Sequence, residues 1–414
     1  MADVKERSMA DAVHRSSLRR SLGVGLLVLY GLGIIIGAGI YVVIGTVMAH
    51  AGMLAVCSFA VAGVLAGLIA LSYAELGARY PEAAGAAAYV QEAFGSERCA
   101  QLTGGVVVVV VLISAATIAR GTAGYARTLV ALPDVLIASG VVLGFTAVAC
   151  LGVKDSVRTA ALMTLIELAG LLLVISAGLA PVRDLQGHVW ALLPTDLPGW
   201  RAIGAGAFLA FFAYTGFENL ANMAEETTDV GRTLPRAMLL SLGISTALYM
   251  TVALVVVAAL PREEAAVSAA PLLAVIARRG WSLSHAFAAL SLVAVANGVL
   301  IQILMLSRLL YGMARRALLP GVLTALSARQ VPVRATLVAG ALVLVSTVAL
   351  PFDALLRLST TLTLLLFTLV SLSLWRLQQC APRQDLAFHV PCWVPVAAAL
   401  GSSGLLAVQC AEVL

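Results

Sequence analysis

The sequence predicts an all-α integral membrane protein with about eleven transmembrane helices, arranged as two inverted five-helix repeats. The membrane class follows from composition. Of the 414 residues, 61% are hydrophobic and only 11% are charged, and the mean hydropathy is +1.01. A soluble core of this size could not hide so much apolar surface. Two glycine-containing interruptions within apolar segments further predict that two of the helices are broken at membrane depth.

Each predicted helix is an apolar run close to the ~20 residues that a bilayer requires. The runs are roughly 21–48, 53–73, 101–119, 131–151, 159–180, 202–223, 237–260, 281–313, 335–350, 355–375 and 394–413. Runs one to five overlay on runs six to ten by hydropathy with opposite orientation, which is typical of inverted repeats. We therefore predict a cytoplasmic tail at 1–20, a first repeat at 21–180, a second at 202–378 and an extra helix at 392–414.

The distribution of positive charge predicts a cytoplasmic N-terminus. With that orientation, eighteen of the 26 Lys and Arg residues fall on the inner side and eight on the outer side, as the positive-inside rule requires. The net charge of +5 includes no basic run of the kind that binds nucleic acid. The five His and six Cys residues are scattered and form no metal-binding motif, so no metal, cofactor or nucleic acid is predicted.

The first interruption lies in the first apolar run, where three glycines occur between Gly33 and Gly39. If the helix unwinds here, the following half-helix presents unpaired N–H groups and the positive end of its dipole, which suit a carboxylate. Close helix packing through Gly33 and Gly37, a GxxxG pair, is the alternative. The candidate carboxylate-binding residues are Ile36, Gly37, Ala38, Gly39 and Ile40.

The second interruption lies in the sixth run, between Phe211 and Glu218. Here the C-terminal end of the first half-helix would expose carbonyl groups, which attract an ammonium group. The two interruptions together would hold a zwitterion at both ends, as a free amino acid requires. Phe212 or Tyr214 would close over it as a gate, or both are core aromatics. The candidate residues in this segment are Phe212, Ala213, Tyr214 and Thr215.

Two carboxylates are predicted at membrane depth, where a charge is costly unless it is paired or protonated. Glu218 follows the second interruption at once, and Glu167 lies in the fifth run with no other charge within about eight residues. Both are candidates for proton coupling or gating, and the alternative for Glu167 is a structural pair with an arginine such as Arg308. Asn297 in the eighth run would line the cavity or join helices.

Several of these segments together resemble the amino acid–polyamine–organocation superfamily, and in particular bacterial relatives of cationic amino acid transporters. They are Gly37-Ala38-Gly39-Ile40, Tyr73-Ala74-Glu75-Leu76, Phe211 to Glu218, and Asn297 with Ser307 to Arg315. The resemblance implies the LeuT-type inverted-repeat fold and alternating access. It also implies recognition of the substrate carboxylate by Ile36 to Gly39 and of the amine by Phe212 to Tyr214. Glu167 stands where proton-coupled relatives carry a lysine.

These features predict a secondary active transporter, a proton-coupled symporter or exchanger, that moves amino acids across the plasma membrane. Its partners would be an amino acid, protons or a counter-substrate, and the lipid bilayer. An exporter or a polyamine/amino acid antiporter is the alternative, although polyamines have no carboxylate. The sequence lacks the nucleophile–base pair of an intramembrane enzyme and the continuous polar lining of a channel. The third run contains no acidic residue to hold a cationic side chain, which favours neutral substrates.

Overall fold

The regular structure is helical, which confirms the predicted all-α class. The computed structural model describes residues 22–36, 39–80, 85–127, 129–151, 157–184, 193–268, 270–280, 284–315, 318–327, 331–380 and 387–413. Within these ranges no β-strand forms, and the β-structure is limited to one isolated bridge between Leu22 and Thr227. The eleven predicted apolar runs each coincide with a described helix or with the two halves of a broken one.

The described residues form fifteen α-helices, which we number in chain order. They are α1 (Val24–Ile36), α2 (Gly39–Ala51), α3 (Ala55–Arg79), α4 (Gly85–Phe94), α5 (Glu97–Ala126), α6 (Asp134–Cys150), α7 (Val157–Asp184), α8 (Leu197–Tyr214), α9 (Val230–Ala259), α10 (Arg262–Val267), α11 (Pro271–Arg278), α12 (Ser284–Arg315), α13 (Val333–Ala349), α14 (Phe352–Cys380) and α15 (Trp393–Val413). Short 3₁₀ helices cover Gly52–Leu54, Phe217–Glu226 and Gly321–Thr324.

Length and apolar composition allow many of these helices to cross a bilayer. Among the described residues, seven continuous stretches meet both criteria: Gly39–Arg79, Glu97–Ala126, Thr164–Val182, Val230–Ala259, Ser284–Arg315, Phe352–Cys380 and Trp393–Ala411. Val24–Ile36, Asp134–Cys150 and Val333–Ala349 are shorter apolar helices. The first stretch contains both α2 and α3.

The broken helices lie at the centre of the bundle. α2 and α3 pack against α8, and α9 packs against both α1 and α3. A second group is formed by α5, α6, α12 and α13, while α14 contacts α5 and α15. Polar caps fix some of the boundaries. The Asp196 carboxylate accepts a hydrogen bond from the Gly199 N–H at 2.8 Å at the start of α8, where a side-chain acceptor satisfies an unpaired N–H group.

A buried polar cluster joins the end of α3 to the end of α14. The Arg79 guanidinium pairs with Glu75 Oε1 at 2.5 Å, and both side chains are almost fully buried. The other carboxylate oxygen of Glu75 accepts hydrogen bonds from the Gln378 amide at 3.0 Å and the Val390 N–H at 2.8 Å. A buried ion pair is tolerated when further hydrogen bonds satisfy it, so Glu75 fixes three chain segments at this end of the bundle.

A second polar cluster lies at the opposite end of the bundle and links α2, α14 and α15. The Arg357 guanidinium donates to Gln409 Oε1 at 2.7 Å and lies 3.0 Å from His50 Nε2. His50 Nδ1 lies 2.9 Å from the Thr46 carbonyl oxygen. Because a carbonyl only accepts, His50 Nδ1 carries the proton and Nε2 accepts from Arg357, so this contact requires a neutral imidazole.

Candidate functional site

The first predicted interruption falls between α1 and α2, and its central residues Gly37 and Ala38 lie outside the described residues. The described part of α1 ends at Ile36, and α2 is described from Gly39. The other three predicted carboxylate-binding residues, Ile36, Gly39 and Ile40, are all buried.

The sixth membrane helix is also interrupted where the sequence predicts it. α8 ends at Tyr214, and the following Gly216 has a φ of +114°, a backbone conformation that side-chain-bearing residues rarely adopt. The Thr215 N–H and hydroxyl both donate to the Phe212 carbonyl, at 3.2 and 2.7 Å. After the turn the chain continues as the 3₁₀ helix Phe217–Glu226, a tighter helix than the α-helical half that a simple break would leave.

The start of α2 and the last described turn of α1 both lie against the second interruption. A Cβ atom added to Gly39 would lie only 2.6 Å from the Ala213 carbonyl oxygen and 2.8 Å from its Cα. A Cβ added to Gly216 would collide with Ile34 on α1. Glycine therefore allows the start of α2 to touch the end of α8. An N-terminal dipole end and a C-terminal dipole end lie side by side, an arrangement suited to a molecule that carries both charges.

Tyr249 on α9 joins the carbonyl ends of both half-helices. Its hydroxyl lies 2.7 Å from the Ile35 carbonyl oxygen and 3.0 Å from that of Ala213. The Ala213 carbonyl belongs to the last turn of α8, where intrahelical donors are lacking, and the Ile35 carbonyl belongs to the last described turn of α1. Sequence reasoning missed this residue. Its only signal was a tyrosine inside an apolar run, whose buried hydroxyl must find a partner somewhere.

Glu167 on α7 lies beside this region and is buried, with 1% of its surface exposed. Neither carboxylate oxygen has a hydrogen-bond partner of acceptable geometry among the described residues. The Asn297 side chain on α12 is close enough to interact with it, and the carboxylate also interacts electrostatically with Tyr41 and Tyr249. Two residues singled out separately in the sequence, Glu167 and Asn297, are thus brought together.

Glu218 lies on the other side of the second interruption, away from Glu167. Its carboxylate accepts a hydrogen bond from the Gly216 N–H at 2.7 Å and lines a cavity of about 480 Å³. Asn219, Tyr73 and Arg308 contribute polar groups to this cavity. Much of the remaining wall is apolar and includes Val107, Val110, Val111, Ile301, Leu304 and Met305. The structure therefore places the two predicted carboxylates in different surroundings.

The predicted gate residues are buried in the present arrangement. Phe212 is 3% exposed and Tyr214 is fully buried. The Tyr214 hydroxyl donates to the Phe59 carbonyl oxygen of α3 at 2.9 Å, and its ring packs edge-to-face on Tyr249 with the centroids 5.1 Å apart. Tyr214 therefore joins α8 to α3 and α9, which matches the core-aromatic alternative in the arrangement described here.

An interrupted helix inside a bundle of apolar helices that are long enough to span a bilayer is typical of a multi-pass membrane protein. No cluster of metal-ligating side chains occurs among the residues that the structure describes. The sequence profile described as amino acid permease matches residues 24–411. The chain belongs to this family, which confirms the resemblance found in the sequence. Membership of the family implies the LeuT-type fold.

Individual relatives come from plants and bacteria. The chain is 31% identical over 395 residues to cationic amino acid transporter 2, vacuolar, of Arabidopsis thaliana, which covers 90% of this chain and 62% of the relative. It is 28% identical to the branched-chain amino acid permease BcaP of Lactococcus lactis, covering 91% of this chain and 86% of the relative. For BcaP of Bacillus subtilis the identity is also 28%, covering 95% and 89%. The chain thus spans less than two thirds of the length of the plant relative.

Proposed function

We propose that this protein is a secondary active transporter that carries amino acids across the plasma membrane by alternating access. The observation that carries the proposal is the contact between Gly39 at the start of α2 and Ala213 at the end of α8. Unpaired N–H groups suit an α-carboxylate and unpaired carbonyls suit an α-ammonium, and here the two lie together. A polyamine has no carboxylate and would leave the α2 terminus without a ligand, which favours an amino acid.

The proposed substrates are neutral amino acids with apolar side chains. The cavity beside the second interruption has a largely aliphatic wall, formed by residues such as Val107, Val111 and Ile301, and apolar walls select apolar groups. Two of the bacterial relatives are named branched-chain amino acid permeases, which agrees with this choice. A thermal-shift screen of the twenty amino acids, with leucine as first probe, tests it because a ligand that binds the folded state raises its melting temperature.

Transport itself is tested by counterflow in proteoliposomes. Vesicles loaded with unlabelled leucine should accumulate labelled leucine transiently, because a carrier exchanges one bound substrate for another across the membrane. Empty vesicles should take it up more slowly. Uptake that is insensitive to internal leucine and does not saturate would contradict the carrier mechanism and favour a channel.

Proton coupling is proposed to involve Glu167, with Glu218 as a second titrating group. Glu167 is buried without a hydrogen-bond partner among the described residues, and a carboxylate in that position is costly unless it is protonated or paired. Protonation from one side of the membrane and release to the other would then accompany the rearrangement of the helices around it. Glu218 borders the cavity and is partly exposed, whereas Glu167 is buried.

Replacing Glu167 by Gln tests this role. We expect Glu167→Gln to retain leucine exchange but to lose the dependence of net uptake on pH over roughly pH 5 to 8, because the amide cannot titrate. The matched control is Glu264→Gln, which removes an exposed carboxylate paired with Arg278 on the surface and should keep the wild-type pH profile. If Glu167→Gln and wild type have the same pH profile, Glu167 has no role in proton coupling.

The proposal also includes the membrane topology. We propose the repeats 21–180 and 202–378, with the N-terminus in the cytoplasm, because each interruption falls in the first membrane helix of its repeat and positive charge is concentrated on the inner side. Accessibility of single reporter cysteines in the loops, placed in a cysteine-free background, measures this directly. Labelling of the N-terminal side from outside the cell would contradict it.

A further inference from the structure

We infer that Tyr249 is a placeholder for the substrate ammonium, so that its hydroxyl holds the two carbonyl ends in the empty transporter and an arriving amino acid displaces it. This inference rests on the proposed function, since it names a further residue of the same site. It goes beyond that proposal because it makes an internal hydroxyl a competitor of the substrate.

The Tyr249 hydroxyl lies between two hydrogen-bond acceptors. Tyr249 Oη lies within 3.0 Å of two carbonyl oxygens, those of Ile35 on α1 and Ala213 on α8. A tyrosine hydroxyl has one proton to donate, so it cannot fully satisfy both carbonyls at once. An ammonium group has three donors and a positive charge, and at the same position it would bond to both.

The surroundings of Tyr249 hold its ring in place. Tyr249 is fully buried, and its ring is held edge-to-face between Phe59 at 5.9 Å and Tyr214 at 5.1 Å between centroids. Such contacts fix the ring and leave little freedom for the hydroxyl. Two carbonyl oxygens therefore direct negative partial charge at the position of the hydroxyl, which favours a cation there.

The Tyr249 hydroxyl also lies close to the start of α2, where the substrate carboxylate is proposed to bind. Ala213, whose carbonyl Tyr249 contacts, is also the residue that Gly39 touches at the start of α2. The α2 N–H groups proposed to bind the carboxylate are thus adjacent to the carbonyls proposed to bind the ammonium. In an α-amino acid these two groups are attached to a single carbon, so they need adjacent partners of opposite sign.

If the hydroxyl competes with the substrate ammonium, removing it should strengthen substrate binding. Tyr249→Phe keeps the ring and its packing but removes the competing donor. We expect this variant to bind leucine about three- to ten-fold more tightly than wild type, the range that corresponds to one net hydrogen bond. Leucinamide, which keeps the ammonium but has no carboxylate, should gain by a similar factor. Isothermal titration with purified full-length protein measures both.

The matched control is Tyr125→Phe. Tyr125 is equally buried, and its hydroxyl donates to the Tyr41 carbonyl oxygen at 2.9 Å. Tyr41 lies in the first turn of α2, where carbonyl groups have intrahelical donors. Its removal should not tighten leucine binding. Weaker or unchanged binding by Tyr249→Phe, or equal tightening in both variants, would overturn the placeholder role. Absence of leucine binding by wild type would instead contradict the proposed leucine transport, and the placeholder role with it.

A second measurement keeps the hydroxyl and does not depend on how Tyr249→Phe folds. Tyr249 alone is replaced by meta-fluorotyrosine, and its fluorine NMR signal is followed during titration. We expect the signal to shift with leucine and leucinamide and to stay in place with isocaproate, the leucine analogue that lacks the amine. A signal that responds to none of them, or equally to isocaproate, would show that the ammonium does not displace the hydroxyl.

Discussion

Substitution of Gly39 by Ala probes the contact on which the proposed amino acid site depends. The added Cβ would lie 2.6 Å from the Ala213 carbonyl oxygen, 2.8 Å from its Cα and 3.0 Å from its Cβ. These are atoms of a helix end and not the tip of a flexible side chain. To restore an ordinary van der Waals contact of 3.4 Å, the start of α2 and the end of α8 must separate by about 0.8 Å.

That displacement should weaken substrate binding more than it affects folding. Overpacking of this kind typically costs about 1–3 kcal/mol of stability. One charge-assisted hydrogen bond lost to the wider spacing costs about 1.5–3 kcal/mol of binding free energy, so we expect leucine affinity to fall roughly ten-fold or more. Gly39 does not have the positive φ that Ala would resist, so the effect is steric and not conformational.

Leucine affinity by isothermal titration and melting temperature by thermal shift separate these two effects. The control is Gly67→Ala on α3, where an added Cβ meets no described atom within 4 Å and where Ala should be slightly favourable in a helix. If Gly39→Ala binds leucine as tightly as Gly67→Ala and wild type do, the two helix ends do not form the substrate site and the reasoning from their contact fails.

Two further predictions concern the polar clusters at the ends of the bundle. Glu75→Gln should lower the free energy of unfolding by about 3–5 kcal/mol, because it removes the negative charge paired with the buried Arg79. The control is Asp134→Asn, which removes the charge from the largely exposed pair with Arg127. This control should lower the free energy of unfolding by less than about 1 kcal/mol. Thermal unfolding measures both, and equal losses would contradict the buried-charge explanation. His50→Phe keeps a ring but has no nitrogen acceptor, so it should lose the contact with Arg357 and increase hydrogen exchange at the end of α2. His50→Gln keeps a side-chain acceptor and should increase exchange less; an equal increase in both variants would refute the contact as the cause.

The fold class and the second helix interruption could be predicted from the sequence because both depend on local composition. Gly216 interrupts an apolar run, and without water in the bilayer an interrupted helix must find other partners, so the position of that break follows directly. The 3₁₀ geometry of Phe217–Glu226 did not follow, because the choice between helix types depends on how the chain leaves Gly216 and packs against its neighbours.

Contacts between distant segments could not be predicted in the same way. Glu167 and Asn297 were each unusual for their polarity at membrane depth, yet their proximity depends on how α7 and α12 pack. Tyr249 carried no signal beyond its residue type, because the partner of a tyrosine hydroxyl is set by rotamer and helix rotation. The ion pair of Glu75 with Arg79 has helical spacing, but its burial depends on Gln378 and Val390, which lie some 300 residues further along the chain.

The hydrogen bonds that hold α1 indicate how a substrate could shift the transporter between conformations. Three hydroxyls of α7 and α9 donate to α1 carbonyl oxygens: Thr164 to Leu29, Ser241 to Val28, and Tyr249 to Ile35. At about 0.6 kcal/mol for each such bond in a membrane, they contribute together about 2 kcal/mol, or roughly a thirty-fold population ratio. A substrate must therefore bind one conformation about thirty-fold better than the other to overcome that difference. Displacement of Tyr249 by an ammonium group would remove one of these three bonds and leave the other two hydroxyl bonds to α1. Substrate binding would therefore itself loosen α1, the helix that the proposed alternating access has to move.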